Sequence, residues 1–152
     1  MNLLHSLVKT RSSATLLITR LTLGLVMFPH GAQKALGWFG GYGFEGTMGF
    51  FTGTMHVPAP LAFLAIAAEF AGSLGLIFGL FGRVAAFGIA SNMVVAIATV
   101  HGANGFFMNW EGKQPGEGFE YHLLVLGLAL TTILFGSGKA SVDGAIASKT
   151  QE

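Results

Sequence analysis

Four apolar stretches, at about 14–36, 59–81, 84–101 and 119–136, take up more than half of a chain of 152 residues. About 20 apolar residues is the length of helix that crosses a hydrocarbon core of about 30 Å. Lipid has no water to satisfy backbone N–H and C=O groups, so each such stretch must bond to itself as a helix. The remainder leaves no room for a separate soluble domain. Residues 1–152 are therefore expected to form a single membrane domain, an all-α integral-membrane four-helix bundle. Composition agrees: charged residues are 10% of the chain and its mean hydropathy is +0.64, against about 25% charged in ordinary soluble domains.

The breaks between stretches are chemically legible. The first stretch ends in Gly37-Trp38-Phe39-Gly40-Gly41, and the second opens after Pro58-Ala59-Pro60, where proline suits a helix start because its missing N–H has no partner there. Between them Phe44, Met48, Phe50, Phe51 and Met55 recur at loosely helical spacing, which predicts a short interfacial helix. Gly82-Arg83 joins the second and third stretches as a tight hairpin. Lys9 and Arg11 precede the first stretch, but it runs on to Leu36 without a small-residue cleavage pattern, so it reads as a retained helix and not a signal peptide.

Four spans place Lys9, Arg11, Arg83, Lys139 and Lys149 on one side, and Lys34 and Lys113 on the other. The positive-inside rule then predicts cytoplasmic termini in a multi-pass protein of the bacterial inner membrane. Net charge is +1 with no basic run, which excludes nucleic acid as a partner. The chain has no cysteine, so a disulfide relay and a thiolate metal site are excluded. It also offers no phosphate-binding glycine loop, no nucleophile elbow, and no haem or flavin motif.

A charge at the bilayer centre costs about 2.5 to 3.5 kcal/mol on insertion scales, so each one needs a reason. Glu69 stands in the middle of the second span, Arg20 about two turns into the first, and Asn92 in the middle of the third. Arg20 either pairs with Glu69 or extends toward the near surface, and Asn92 suits an interhelical hydrogen bond. The small residues Ala65, Ala68, Gly72, Gly75 and Gly79 allow close helix approach.

Topology gathers a second group at the outer end: His30 and Lys34 on the first span, His101 closing the third, and Glu120, Tyr121 and His122 opening the fourth. Adjacent residues on a helix point about 100° apart, so those last three cannot all face the bundle axis. Two chemistries fit the group: a proton-conducting pocket that meets a ligand's oxygen atoms, or a metal site of His30, His101, Glu120 and His122. No single helix carries an HxxxH pair, which favours the pocket over the metal. Phe28, Phe63, Phe70, Phe106, Phe107, Trp110 and Phe119 are available as an aromatic wall.

These residues also carry a family resemblance. Arg20-Leu21-Thr22-Leu23-Gly24 with His30-Gly31 and Lys34, Ala68-Glu69-Phe70-Ala71-Gly72, Val95-Ala96 before His101, Glu120-Tyr121, and Gly136-Ser137-Gly138 leading to Ser141-Val142-Asp143 resemble the DoxX family of small bacterial membrane proteins. His122 lies outside the matched positions, and Lys139-Ala140-Ser141 departs from the aromatic-containing pattern of that family. The resemblance implies a four-helix membrane bundle and, for some relatives, a subunit of a quinone-linked oxidoreductase, including one that oxidises thiosulfate to tetrathionate.

The function expected on that basis is a membrane subunit of a quinone-linked oxidoreductase system, with a quinone in the outer half of the bundle. Glu69, His101 and Glu120 are its expected proton-handling residues, and Arg20, His30, Lys34, Asn92 and Tyr121 its expected ligand contacts, with no metal. The expected partners are the lipid bilayer, a second redox subunit that supplies electrons, and a second copy of the chain. Rival readings are a carrier or channel for a small molecule or proton, with its path lined by Arg20, Glu69 and Asn92, and a scaffold that holds a partner protein on its glycine faces.

Overall fold

In a computed structural model, which describes residues 3–149, the apolar stretches become helices that end where glycine and proline stand. A short helix α1 (Leu3–Val8) leads into α2 (Ala14–Leu36), which stops at Gly37 in the left-handed region, φ 74°. The predicted interfacial helix is α3 (Gly43–Gly49), extended by a π-helical turn over Phe50–Thr54. Helix α4 (Ala59–Phe78) follows Pro58 as its cap, carries Pro60 in its first turn and ends at Gly79, φ 67°. Helix α5 (Gly82–Ala96) continues through a π-helical turn, Ile97–His101. After a loop come α6 (Glu120–Phe135) and α7 (Val142–Lys149).

Helices α2, α4, α5 and α6 form a closed ring in which each packs on its two neighbours, with α6 returning to α2. Leu23, Met27, Leu76, Ala86, Ile89, Met93, Val125 and Ala129 fill its axis. The outer face is apolar as well: Ile18, Leu25, Leu64, Phe87, Leu124 and Leu130 are all exposed. Helices that are hydrophobic all round are at home in lipid and not in water, so this is a helical membrane bundle. Three of the described helical segments, Ala14–Leu36, Ala59–Phe78 and Gly82–Asn104, are long and apolar enough to cross a membrane. The fourth stretch is shorter than its apolar composition promised. The 16 residues of α6 rise about 24 Å, and the polar loop of residues 105–119 folds back onto its N-terminal end through Phe119 N–H to Gly105 O (3.2 Å) and Glu120 N–H to Phe106 O (2.9 Å).

Candidate functional site

The site begins with two glycines on one face of α2. A Cβ on Gly24 would lie 3.0 Å from the carbonyl oxygen of Ser73, and one on Gly31 would lie 2.6 Å from the Cα of Phe70 and 2.7 Å from the carbonyl oxygen of Glu69. Only glycine lets the two backbones meet this closely. Lys34 follows Gly31 by one turn, and its Nζ reaches the Oε2 of Glu69 at 2.6 Å. Glu69 is buried, and Lys34 is half-buried. Across the bundle the Asn92 amide donates to the Ala65 carbonyl at 2.7 Å and lies 3.4 Å from the other carboxylate oxygen of Glu69. The interhelical hydrogen bond expected of Asn92 is thus present, and it also backs the acid.

His30 lies one turn before Lys34, within electrostatic reach of both Lys34 and Glu69. Its ring stands 6.1 Å from that of Tyr121, whose hydroxyl donates to the Met27 sulfur at 3.5 Å. The π-helical turn that ends α5 carries His101 against His122, with ring centroids 4.2 Å apart. His101 Nδ1 is 2.8 Å from the carbonyl oxygen of Glu117. A carbonyl only accepts, so Nδ1 carries the hydrogen and leaves Nε2 of the neutral ring as an acceptor. His122 is buried, and its Nδ1 has no hydrogen-bond partner, an arrangement that buried polar atoms seldom tolerate. Lys34, Glu69, Asn92, His30, Tyr121, His101 and His122 therefore form one polar centre in the half of the bundle that holds the 105–119 loop. Phe28 and Phe70 flank it with rings 6.2 Å apart, and His30 is exposed at the bundle surface.

Two residues expected in this centre are engaged elsewhere. Glu120 accepts the Met108 N–H at 2.8 Å, which ties the 105–119 loop to the start of α6. Phe106 stacks edge-on against both Phe107 and Phe119 in that same loop, while Phe63 pairs with Phe44 of α3. The carboxylate of Glu120 thus holds the loop whose Glu117 carbonyl meets His101.

Arg20 is the larger correction. It does not meet Glu69. Its guanidinium, 1% exposed, donates Nε–H to Ser137 O (2.7 Å), Nη1–H to Leu76 O (2.6 Å) and Ile77 O (2.7 Å), and Nη2–H to Ala140 O (2.7 Å) and Lys139 O (3.3 Å). Five donors meet five carbonyls, so none remains for a ligand. Two of those carbonyls are at the C-terminus of α4, where a cation is favoured. Alongside, Asp143 accepts from Phe81 N–H (2.7 Å), Gly82 N–H (2.9 Å) and the Ser137 hydroxyl (2.6 Å), capping the start of α5. Arg20 and Asp143 lock the chain's C-terminal segment across the α4–α5 hairpin, at the opposite end of the bundle from Lys34.

Sequence reasoning missed Met27 and Gly31 as parts of the centre and gave the tail no role. The signal for Gly31 was its seven-residue spacing from Gly24, two turns along one helix face. Nothing local marked Met27. Among the described residues, no three of His, Asp and Glu come together as a metal-holding group.

The sequence model of the DoxX family matches residues 15–102. A protein of Bacillus subtilis (strain 168) described as "Putative oxidoreductase CatD" is 33% identical over 127 residues, which cover 84% of this chain and 83% of that protein. No solved structure matches the chain. With more than half of its length matched by the family model and a relative aligned over most of both chains, the protein belongs to the DoxX family.

Proposed function

We propose that the protein is a membrane subunit of a quinone-linked oxidoreductase system, holding a quinone headgroup at the polar centre around Glu69. The observation that carries this reading is the donor set. A quinone presents two carbonyl oxygens on a flat ring. The centre offers the Lys34 ammonium, which spends one donor on Glu69, the Tyr121 hydroxyl, whose one hydrogen is held only by the Met27 sulfur, a weak acceptor, and a buried His122 Nδ1 with no partner in the protein. Phe28 and Phe70 suit a flat ring and an isoprenoid chain, and exposure of His30 suits lateral entry from lipid. The relative's description as an oxidoreductase agrees.

When bound, the group supplies the two-electron, two-proton couple between quinone and quinol. The chain's own residues hold, orient and move protons. Asn92 and Lys34 fix the carboxylate of Glu69 from two sides, so it is placed to exchange a proton rather than to seek a partner. Lys34 offers positive charge where negative charge develops on a headgroup oxygen. His101, anchored through Nδ1 to the Glu117 carbonyl, keeps Nε2 for the second proton. Electrons come from a second redox subunit, since the chain carries no haem or flavin motif. The distribution of Lys9, Arg11, Arg83, Lys139 and Lys149 against Lys34 and Lys113 supports both termini in the cytoplasm of a bacterium, with the polar centre toward the outer leaflet.

The test is the quinone content of full-length protein purified in mild detergent, compared between wild type and Glu69→Gln after lipid extraction. Retention by the wild type and loss in the variant support the reading. Equal quinone in both, at the level of bulk lipid carry-over, overturns it.

A further inference from the structure

At the end of the bundle that carries α1 and α7, three cations from two places in the chain line one depression. Lys9 and Arg11 come from the link between α1 and α2, and Arg83 from the first turn of α5. With Thr10 they line a cavity of about 220 Å³ whose other walls are Leu134 and Phe135 at the end of α6. No acidic residue lines it. The ion pairs among the described residues, Lys34–Glu69 and Lys113–Glu111, are both elsewhere.

Two of the three cations are held in place. Arg83 donates Nε–H and Nη2–H to the Lys9 carbonyl at 3.2 and 3.1 Å, and Nη1–H to the carbonyls of Ile133 and Leu134. Arg11 lies over the Phe135 ring, 4.8 Å from its centroid. The three cations thus share one depression whose lining holds no acidic residue, and an anion placed among them is attracted by all three. From the cavity an exposed apolar surface runs toward the bilayer along Leu134 and Leu130 of α6, with Val84 and Phe87 exposed on the neighbouring α5. Phosphate chemistry suits the cations, and hydrocarbon suits the surface below them.

We propose that this depression binds an anionic phospholipid, with its phosphate among Lys9, Arg11 and Arg83 and an acyl chain along Leu134 and Leu130. A zwitterionic headgroup brings its own cation into the cluster and is disfavoured. Free phosphate shares the charge chemistry and makes no use of the apolar wall.

The test is native mass spectrometry of the full chain in detergent, titrated separately with phosphatidylglycerol, phosphatidylcholine and inorganic phosphate. The wild type is expected to take up phosphatidylglycerol in preference to phosphatidylcholine. Each basic residue near an anionic lipid surface is worth about fivefold, so the double variant K9Q/R11Q is expected to lose about tenfold or more in phosphatidylglycerol affinity. K113Q, on the opposite face, is expected to lose none. These two variants leave the backbone contacts of Arg83 untouched. Three results overturn the proposal: equal uptake of the two lipids, unchanged phosphatidylglycerol binding in K9Q/R11Q, or an equal loss in K113Q. Displacement of phosphatidylglycerol by inorganic phosphate at millimolar concentration also overturns it, assigning the cations to a free anion.

Discussion

Lys34 and Glu69, one on α2 and one on α4, meet at 2.6 Å beside the point where Gly31 lets the two backbones touch. The ion pair and the glycine are one construction. Without the close approach, the carboxylate in the bundle interior would have no cation within reach, and without the cation it would be an uncompensated charge away from water.

Breaking this pair on one side is therefore expected to cost more than removing it whole. Lys34→Met leaves the carboxylate stranded, and about 2–4 kcal/mol of stability is expected to be lost. The double variant K34M/E69Q is expected to recover at least about 1 kcal/mol relative to the sum of the single changes. Equilibrium unfolding in mixed detergent micelles measures all three.

Gly31→Ala puts a methyl group against the backbone of Glu69 and Phe70, and an expected loss of about 1–3 kcal/mol follows from overpacking. Gly127 on α6 has open space where its Cβ would stand. There the same substitution is expected to be neutral or stabilising by up to about 1 kcal/mol. Thermal unfolding of the two variants side by side checks the contrast.

Arg20→Lys separates a structural role from a ligand role. An ammonium cannot reproduce five hydrogen bonds arranged around a planar guanidinium, so a stability loss of about 3 kcal/mol or more is expected. At a temperature where the variant remains folded, quinone affinity is expected to be unchanged. Asp143→Asn, on the same lock, is expected to behave alike. Unfolding curves and quinone titration together give the answer.

His122→Phe keeps an aromatic ring against His101 and removes a buried nitrogen that has no partner. A gain of about 1 kcal/mol in stability is expected, because an unsatisfied buried polar atom costs about 1–3 kcal/mol. Quinone affinity is expected to fall in the same variant. Opposite signs in the two measurements are the mark of a group retained for a ligand.

The helices were legible in the sequence because hydrocarbon thickness and backbone self-satisfaction leave so few choices. Their ends were legible where Gly37, Pro58 and Gly82 interrupt the apolar runs. The partners of the charged residues were not. Arg20 and Glu69 look complementary along the chain, but helix rotation gives Glu69 to Lys34 and gives Arg20 to carbonyls at the end of α4 and in the tail. The tail's role depends on main-chain oxygens of Ser137, Lys139 and Ala140, which every residue type supplies and no pattern reveals. His122 illustrates the remaining difficulty: the sequence gathers it with His101 at one end of the bundle, but the 4.2 Å ring contact and the unpartnered Nδ1 depend on helix rotation that no pattern reveals.

Photolabelling with an azido-quinone, followed by peptide mapping of the full-length protein in lipid nanodiscs, tests the placement of the headgroup most directly. Labels are expected on α2 between Met27 and Lys34, on α4 near Glu69, and at the start of α6 near Tyr121, with competition by unlabelled quinone and loss in Glu69→Gln. Competable labelling confined to the opposite end, around Arg20 and the Gly138–Ser141 segment, would contradict the account.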